Sequence, residues 1–364
     1  MMYFCFKRLT SIAILNKYNH LIVIRLSALG DVAMTVPVLR ALTKQNPNLR
    51  ITYVSKPFLK PLFEDLPGVE FFAAEVKSEH KGLPGLFRLF LTLKKRKPDA
   101  VVDLHNVLRS KLLRVFFSCT FKKVVVLDKG RTEKKALTRQ NNKVFKPLKT
   151  THERYADTFR QLGFSVDLTN PEFPKKKALG DKILQLVQNK AGSWIGIAPF
   201  AQYNSKMYPL EMMETVIETL SKQHHLKIFL FGGGKKEVDL LEKLSTKYSN
   251  CKTIAGQLKF EEELALISYL DLMLSMDSGN AHFAAMLGIP TITVWGVTHP
   301  FAGFSPFHQP KDYSILPDLK KYPNLPCSIY GNKVFEGYEN VMRSISPESI
   351  VEKINAVLSL KNRS

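Results

Sequence analysis

The chain has 364 residues, 45% hydrophobic and 23% charged, which is long enough for two hydrophobic cores and too apolar for a disordered chain. No 18-residue apolar run could span a bilayer as a helix, and Cys5, Cys119, Cys251 and Cys327 form no C-x-x-C pair, which argues against a zinc ribbon or disulfide framework and suits a reducing cytosol. Lys and Arg outnumber Asp and Glu by 53 to 32, and the excess is confined to the first half: residues 1–178 hold 34 basic and 14 acidic groups, residues 179–364 hold 19 and 18. A basic half implies an anionic partner, whether acidic lipid headgroups, a phosphorylated glycolipid or nucleic acid, or else a merely soluble surface.

In chain order, residues 1–20 place Lys7 and Arg8 after a first apolar cluster and offer only a short SIAIL run, so they lack a signal-peptide core. They read as an N-terminal extension, either disordered or a weak membrane-surface anchor. Leu21–Leu26 is a β-branched run suited to a central strand; it enters the turn Ser27-Ala28-Leu29-Gly30-Asp31, and a helical period follows through Val32, Val36, Leu39 and Leu42. Pro37 either kinks that helix or lies in its first turn. Strands at 50–55, 70–74, 99–104 and 123–128 then alternate with helices at 58–65 and 83–97, the turn His105 to Ser110, and a loop carrying Lys129, Arg131, Lys134, Lys135 and Arg139. This is a Rossmann-like half, 21–170.

A helix over 152–162 ends at Gly163, and the aperiodic, proline-containing stretch from Val166 leads to a linker at 171–180. The alternation restarts in a second Rossmann-like half, 181–345. Its strands lie at 194–199, 226–234 and 253–256, and its helices at 209–222, 235–248 and 260–270. The run DLMLSMDSGNAHFAAMLGIPTITVWG (271–296) forms a βαβ unit. Residues 301–339 read as long loops, and 347–360 as an amphipathic helix in the C-terminal segment 346–364.

Chemistry concentrates at strand ends. Asp277, Ser278 and Gly279 occupy the turn of that βαβ unit, where a helix start offers free N–H groups to an anion, and His282 follows one turn on, either facing that site or packing on its helix. Asp31 follows the first strand and could accept a proton from an attacking hydroxyl, or simply cap its helix. Lys206 stands before the next helix, where an ammonium could neutralise a diphosphate or remain solvated. The turn at Gly232 to Glu237 fits neither G-x-G-x-x-G nor the phosphate loop, so Glu237 is a ribose contact or a first-turn acid favoured by the helix dipole. None of the nine histidines is spaced for a metal and no D-x-D occurs, so neither metal nor cofactor is expected.

LIVIRLSALGDVAMTVPVLRAL resembles the opening of the bacterial lipopolysaccharide heptosyltransferases, glycosyltransferase family 9, and MDSGNAHFAAMLGIPTITVWGVTHP resembles their donor-site signature. DAVVDLHNVLRS, the Lys206 loop and the Gly232–Glu237 turn are similar too and stand in the same order. Asn280 replaces a more usual apolar residue, Ser278 keeps the hydroxyl of a common Thr, and the residues before Leu21 are an unusual extension. The resemblance implies a GT-B fold of two Rossmann-like domains facing a central cleft, with a last helix crossing back to the first domain.

It also implies inverting, metal-independent transfer of heptose from ADP-heptose to a Kdo-lipid A or lipopolysaccharide core acceptor, by a cytoplasmic enzyme peripheral to the inner membrane. Asp31 would be the general base, and Lys206, Glu237, Leu258, Asp277, Ser278, Gly279 and His282 would hold the donor. Ser27, Gly30, Arg109, Lys111 and Arg131 are the candidates for an anionic glycolipid acceptor. Two other readings are a same-fold transferase using another nucleotide sugar or a non-lipopolysaccharide acceptor, and a basic non-enzymatic module; no recognisable nucleic-acid motif supports the latter, and no nucleic-acid partner is expected.

Overall fold

The computed structural model describes residues 17–187 and 192–361. The first unit comprises β1 (His20–Ile24), α1 (Leu29–Ala33), α2 (Thr35–Gln45), β2 (Arg50–Ser55), β3 (Val69–Ala73), α3 (Gly82–Lys94), β4 (Ala100–Asp103), α4 (Leu108–Ser118), β5 (Lys123–Val126), α5 (Arg131–Thr138) and α6 (Thr151–Arg160). The second comprises α7 (Asp181–Val187), β6 (Ser193–Ala198), α8 (Leu210–Ser221), β7 (Leu226–Leu230), α9 (Lys235–Ser245), β8 (Cys251–Thr253), α10 (Phe260–Ile267), β9 (Leu272–Met276), α11 (Gly279–Met286), β10 (Thr291–Val294), β11 (Ser314–Ile315) and α12 (Pro347–Lys361).

Runs such as HLIVI and LMLSM are fully buried because helices cover both faces of each sheet, the usual environment of parallel strands. The first sheet has the order β3-β2-β1-β4-β5 and the second β11-β10-β9-β6-β7-β8, with every pair parallel. In both sheets the strand order reverses between the first strand of the unit and its fourth. At such a switch point the loops after the two strands diverge and leave a crevice. Asp31 follows β1 and His105 follows β4; Lys206 follows β6 and Asp277 follows β9. The candidates Asp31, Lys206 and Asp277 therefore fall at switch points, with His105 beside the first.

The helix after β1 is two helices. It breaks at Met34, and Pro37 is the third residue of α2, within the first turn, where its missing N–H is not required. Residues 301–339 contain a short strand, β11, pairing with β10 by two residues, which is too brief for a periodic signal. Gly163 ends α6 with a left-handed φ of 87°.

The last helix departs from expectation. Ile350, Ile354, Val357 and Leu358 of α12 belong to the core that β6, β7, β9 and α8 share, and its polar residues bond there too, Lys353 to Asp312 and Asn355 to Gln223. The helix thus stays on the second unit, held by its apolar stripe, instead of crossing back. The reading of residues 1–20 as an extension or anchor lies outside the described residues for 1–16; His20 already opens β1. Among the described residues no helix is long and apolar enough to cross a membrane.

Candidate active site

Asp31 is the third residue of α1, and its Oδ2 lies 2.7 Å from Nη2 of Arg25 and 3.3 Å from the N–H of Ala28. Both contacts fall on Oδ2. Arg25, almost fully buried after β1, also donates to the Leu104 carbonyl after β4, so one guanidinium ties the two sides of the switch point and fixes the carboxylate. Its charge lies 5.7 Å from the Tyr155 ring, and the Tyr155 hydroxyl donates to the Asp31 carbonyl at 3.3 Å.

Asp31 lines a cavity of ≈ 190 Å³ that is rich in cations. Arg25, Lys129, Lys134 and Arg154 all border it, with Ser27 and His105 at one side and Phe304 and Tyr330, from the second unit, at the other. Lys134 is buried with its Nζ 4.2 Å from the Phe304 ring centroid, and burial, then Arg154, pulls its pKa down to about 8. Burial and the cations Arg25 and Lys129 hold His105 at about 3, so its ring is neutral; Nε2 meets the Ser27 hydroxyl at 3.3 Å. Arg154 is partnered by Glu133 at 2.7 Å. The cavity suits a ligand bearing a hydroxyl near Asp31 and anionic groups around it.

Across the boundary, Lys206 ends a single helical turn, Asn204–Lys206, and its Nζ lies 2.9 Å from Oδ2 of Asp277, which also accepts the Thr298 hydroxyl at 2.8 Å. Two glycines make room for that turn. A Cβ at Gly331 would come within 2.4 Å of Lys206 Cδ, and one at Gly296 within 2.1 Å of the Ser205 carbonyl. Ser278 stands immediately before α11 and meets the Ser275 hydroxyl at 3.2 Å. Its short side chain and the free N–H groups of the helix start are what an anion would meet.

The units touch where α1 passes α11. A Cβ at Gly30 would lie 3.0 Å from Cδ2 of His282 and 3.4 Å from the Gly279 Cα. His282 is buried and, among the described residues, its Nδ1 has no hydrogen-bond partner; burial pulls its pKa down to about 4, Asp277 and Asp31 opposing and Lys206 assisting. One neutral imidazole thus senses the acid of the first unit and both charges of the second.

The structure brings Ser27, Gly30 and Asp31 to one side and Lys206, Asp277, Ser278, Gly279 and His282 to the other. Glu237 sits in the first turn of α9 with Oε2 accepting the Gly233 N–H at 2.8 Å, so that oxygen holds its own glycine turn. Leu258 is partly buried against the core beyond β8. Arg109 and Lys111 lie exposed on α4 and Arg131 exposed at the start of α5; none of the three lines the cavity. Arg25, Arg154, Phe304 and Tyr330 do line it and were not foreseen. A lone Arg inside LIVIRL was a usable signal, because a charge in a central strand needs a buried partner. Arg154 and the two aromatics carried no local signal. Among the described residues no three His, Cys, Asp or Glu side chains group as metal ligands.

Residues 86–326 match the family model of glycosyltransferase family 9 (heptosyltransferase). The chain is 24% identical to the lipopolysaccharide core heptosyltransferase OpsX of Haemophilus influenzae over 77% of its length and 80% of that protein's. It is 25% identical to lipopolysaccharide heptosyltransferase 1 of Campylobacter coli, covering 76% and 83%. Among solved structures, Escherichia coli ADP-heptose lipopolysaccharide heptosyltransferase II superposes with a TM-score of 0.67 at 19% identity, covering 95% of this chain and all of that one. The E. coli heptosyltransferase WaaC with ADP gives 0.66 at 17%, covering 93% and 99%. These likenesses establish the two-domain GT-B fold.

Proposed function

Because the chain belongs to glycosyltransferase family 9, the heptosyltransferases, we propose that it moves heptose from ADP-heptose to a lipopolysaccharide core or lipid A acceptor, with inversion and without a metal. The first unit would hold the acceptor and the second the donor. The observation that carries this reading is the position of Asp31 in a cationic cavity, one glycine contact away from the Lys206–Asp277 pair and the start of α11.

Departure of a nucleoside diphosphate leaves an oxocarbenium-like sugar and adds one negative charge to the two that the diphosphate already bears. Lys206 and the N–H groups after Ser278 would take those charges, and His282, as a neutral ring, would pack beside the sugar–phosphate junction without adding charge. Glu237 would reach the ribose through Oε1, and Leu258 would flank the base. Asp31 would draw the proton from the acceptor hydroxyl through Oδ1, the oxygen not engaged by Arg25. Arg25, Lys129, Lys134 and Arg154 would hold the anionic sugars or phosphates of the acceptor, a role for which the sequence had offered Arg109, Lys111 and the basic cluster Lys129 to Arg139, Arg131 included. The enzyme would work at the inner face of the cytoplasmic membrane, where a lipid-anchored acceptor is presented.

Incubation with ADP-heptose and a truncated Kdo-lipid A acceptor in EDTA should release ADP; no release in EDTA with release restored by Mg²⁺ would overturn the metal-independent route. The alternative, another nucleotide sugar in the same cleft, is separated by melting the protein with ADP, UDP and GDP, since only the matching nucleotide should raise the melting temperature appreciably.

A further inference from the structure

The outer wall of the first unit is unlike the rest of its surface. α3 buries Leu86, Leu89, Phe90 and Leu93 against the sheet, and α4 buries Leu113 and Phe117. On the opposite sides both helices remain apolar. Leu83, Phe87 and Leu91 recur every four residues along one exposed stripe of α3, and Leu108 and Val115, seven apart, lie along α4. Phe87 meets Phe116 edge-on at 5.4 Å, so the two stripes form a continuous patch about 20 Å long. Phe121, just past α4, is 99% exposed. Patches of this kind mark contact surfaces.

The charge around the patch identifies what it contacts. From Lys81 to Lys123 there are eleven basic side chains and two acidic ones. The offsets are partial: Arg114 pairs with Asp103 at 3.5 Å and Arg96 with Glu70 at 2.5 Å, while Asp99 accepts the N–H groups of Asn19 and His20, so basic side chains remain in large excess on this face. Lys94 and Lys122 border a shallow hollow with Phe121 at the far ends of the two helices. A second copy of this chain would bring two like-charged rims together. An anionic bilayer meets both features, with Phe and Leu entering the headgroup layer and Lys and Arg held at the phosphates.

We propose that the outer face of α3 and α4 is the surface on which the protein rests on an anionic lipid bilayer. Both helices begin at the carboxyl end of the first sheet, the end that carries Ser27, Asp31 and His105. A bilayer lying along them therefore delivers a lipid-anchored molecule to the mouth of the cavity. The proposal extends the reading of a glycolipid acceptor, yet its test does not require transfer activity.

The full chain is sedimented with vesicles of 70% phosphatidylcholine and 30% phosphatidylglycerol, or of phosphatidylcholine alone, at low salt and in 0.5 M NaCl. Binding is expected only to the anionic vesicles and to weaken in salt. Phe87→Ser with Leu91→Ser and Phe121→Ser, or Lys94→Glu with Lys95→Glu and Lys122→Glu, should each weaken it by about tenfold or more. Equal charge reversal on the second unit, Lys243→Glu with Lys320→Glu and Lys321→Glu, should change it far less. These residues are exposed, so melting temperatures should stay near wild type. The proposal is overturned if the α3–α4 variants bind like wild type, if the second-unit control loses as much, or if deleting residues 2–16 alone removes binding. A dimer in analytical ultracentrifugation that the Phe87 variant dissociates, with no vesicle binding by wild type, also overturns it. Transfer to a water-soluble acceptor fragment should be unchanged in the α3–α4 variants; its failure in wild type would strike the functional reading and leave the vesicle result standing.

Discussion

Lys206 and Asp277 form a nearly buried ion pair, Nζ to Oδ2 2.9 Å, that joins the loops after β6 and β9. The lysine proposed to meet the departing diphosphate is thus already oriented and paired with a carboxylate. An incoming pyrophosphate must share it with Asp277.

Lys206→Met should therefore weaken ADP binding by about 10- to 100-fold, the scale of losing a charge-assisted hydrogen bond. The measurement is ADP titration by calorimetry. Wild-type affinity in the variant would remove Lys206 from the donor site.

Asp31→Asn keeps an oxygen for Arg25 and Ala28 but cannot take a proton. The turnover number should fall by about 10² to 10⁴, while the ADP-induced rise in melting temperature stays as in wild type. Turnover at the wild-type rate would mean that another group is the base.

Gly30→Ala isolates the contact between the units. In an ordinary helix this change stabilises, because alanine is the better helix former. Here the new methyl meets His282 Cδ2 at 3.0 Å and the backbone of Gly279 at 3.4 Å, so α1 must shift from α11. A melting temperature lower by a few degrees and a turnover number lower by about tenfold are expected; a stabilised, fully active variant would show that the contact yields freely.

Lys134 gives the acceptor side a pH dependence. With a pKa of about 8, its positive charge is present below pH 8 and lost above it. The KM for an anionic acceptor should rise by severalfold between pH 7 and pH 9, with little change in the donor KM. Lys134→Arg, which stays protonated, should flatten that rise.

His152 makes the fold acid-sensitive. It is fully buried against Phe307, and burial, then His282, lowers its pKa to about 3 from an unfolded value of 6.5. A depressed pKa means that the unfolded chain binds the proton first. The stability linked to the neutral ring is whole above pH 6.5 and is lost as pH falls toward 3. At pH 5 this amounts to about 2 kcal/mol. Denaturant unfolding at pH 7 and pH 5 should show the loss, and His152→Leu should reduce it.

Much of this was legible in the sequence because switch-point chemistry is local. A buried strand, a glycine turn and a helix start lie within about ten residues of one another, so Asp31, Lys206 and the Asp277–His282 cluster could each be located without knowing what faced them. Opposition across the units could not be read that way. Arg154 reaches the cavity from α6 and Tyr330 from a loop without periodicity, and both depend on how the units pack. Arg109 and Lys111 show the converse: their charge made them candidates for an anionic acceptor, but α4 turns them outward to the exposed wall. The crossing of α12 was an expectation from the resemblance; the apolar stripe of the helix instead packs with α8 and β9.

The long excursion after Val297 looks from its composition like a spacer. Yet its carbonyls at Phe301 and Gly303 accept the N–H groups of Leu148 and Thr151, while Gly331 lies beneath the stem of Lys206. A single aperiodic segment is therefore bolted to both halves. Grafting it from a relative would exchange the floor of one half-site and a wall of the other in one operation, so chimeras cut at its ends should inherit altered substrate preference as a package.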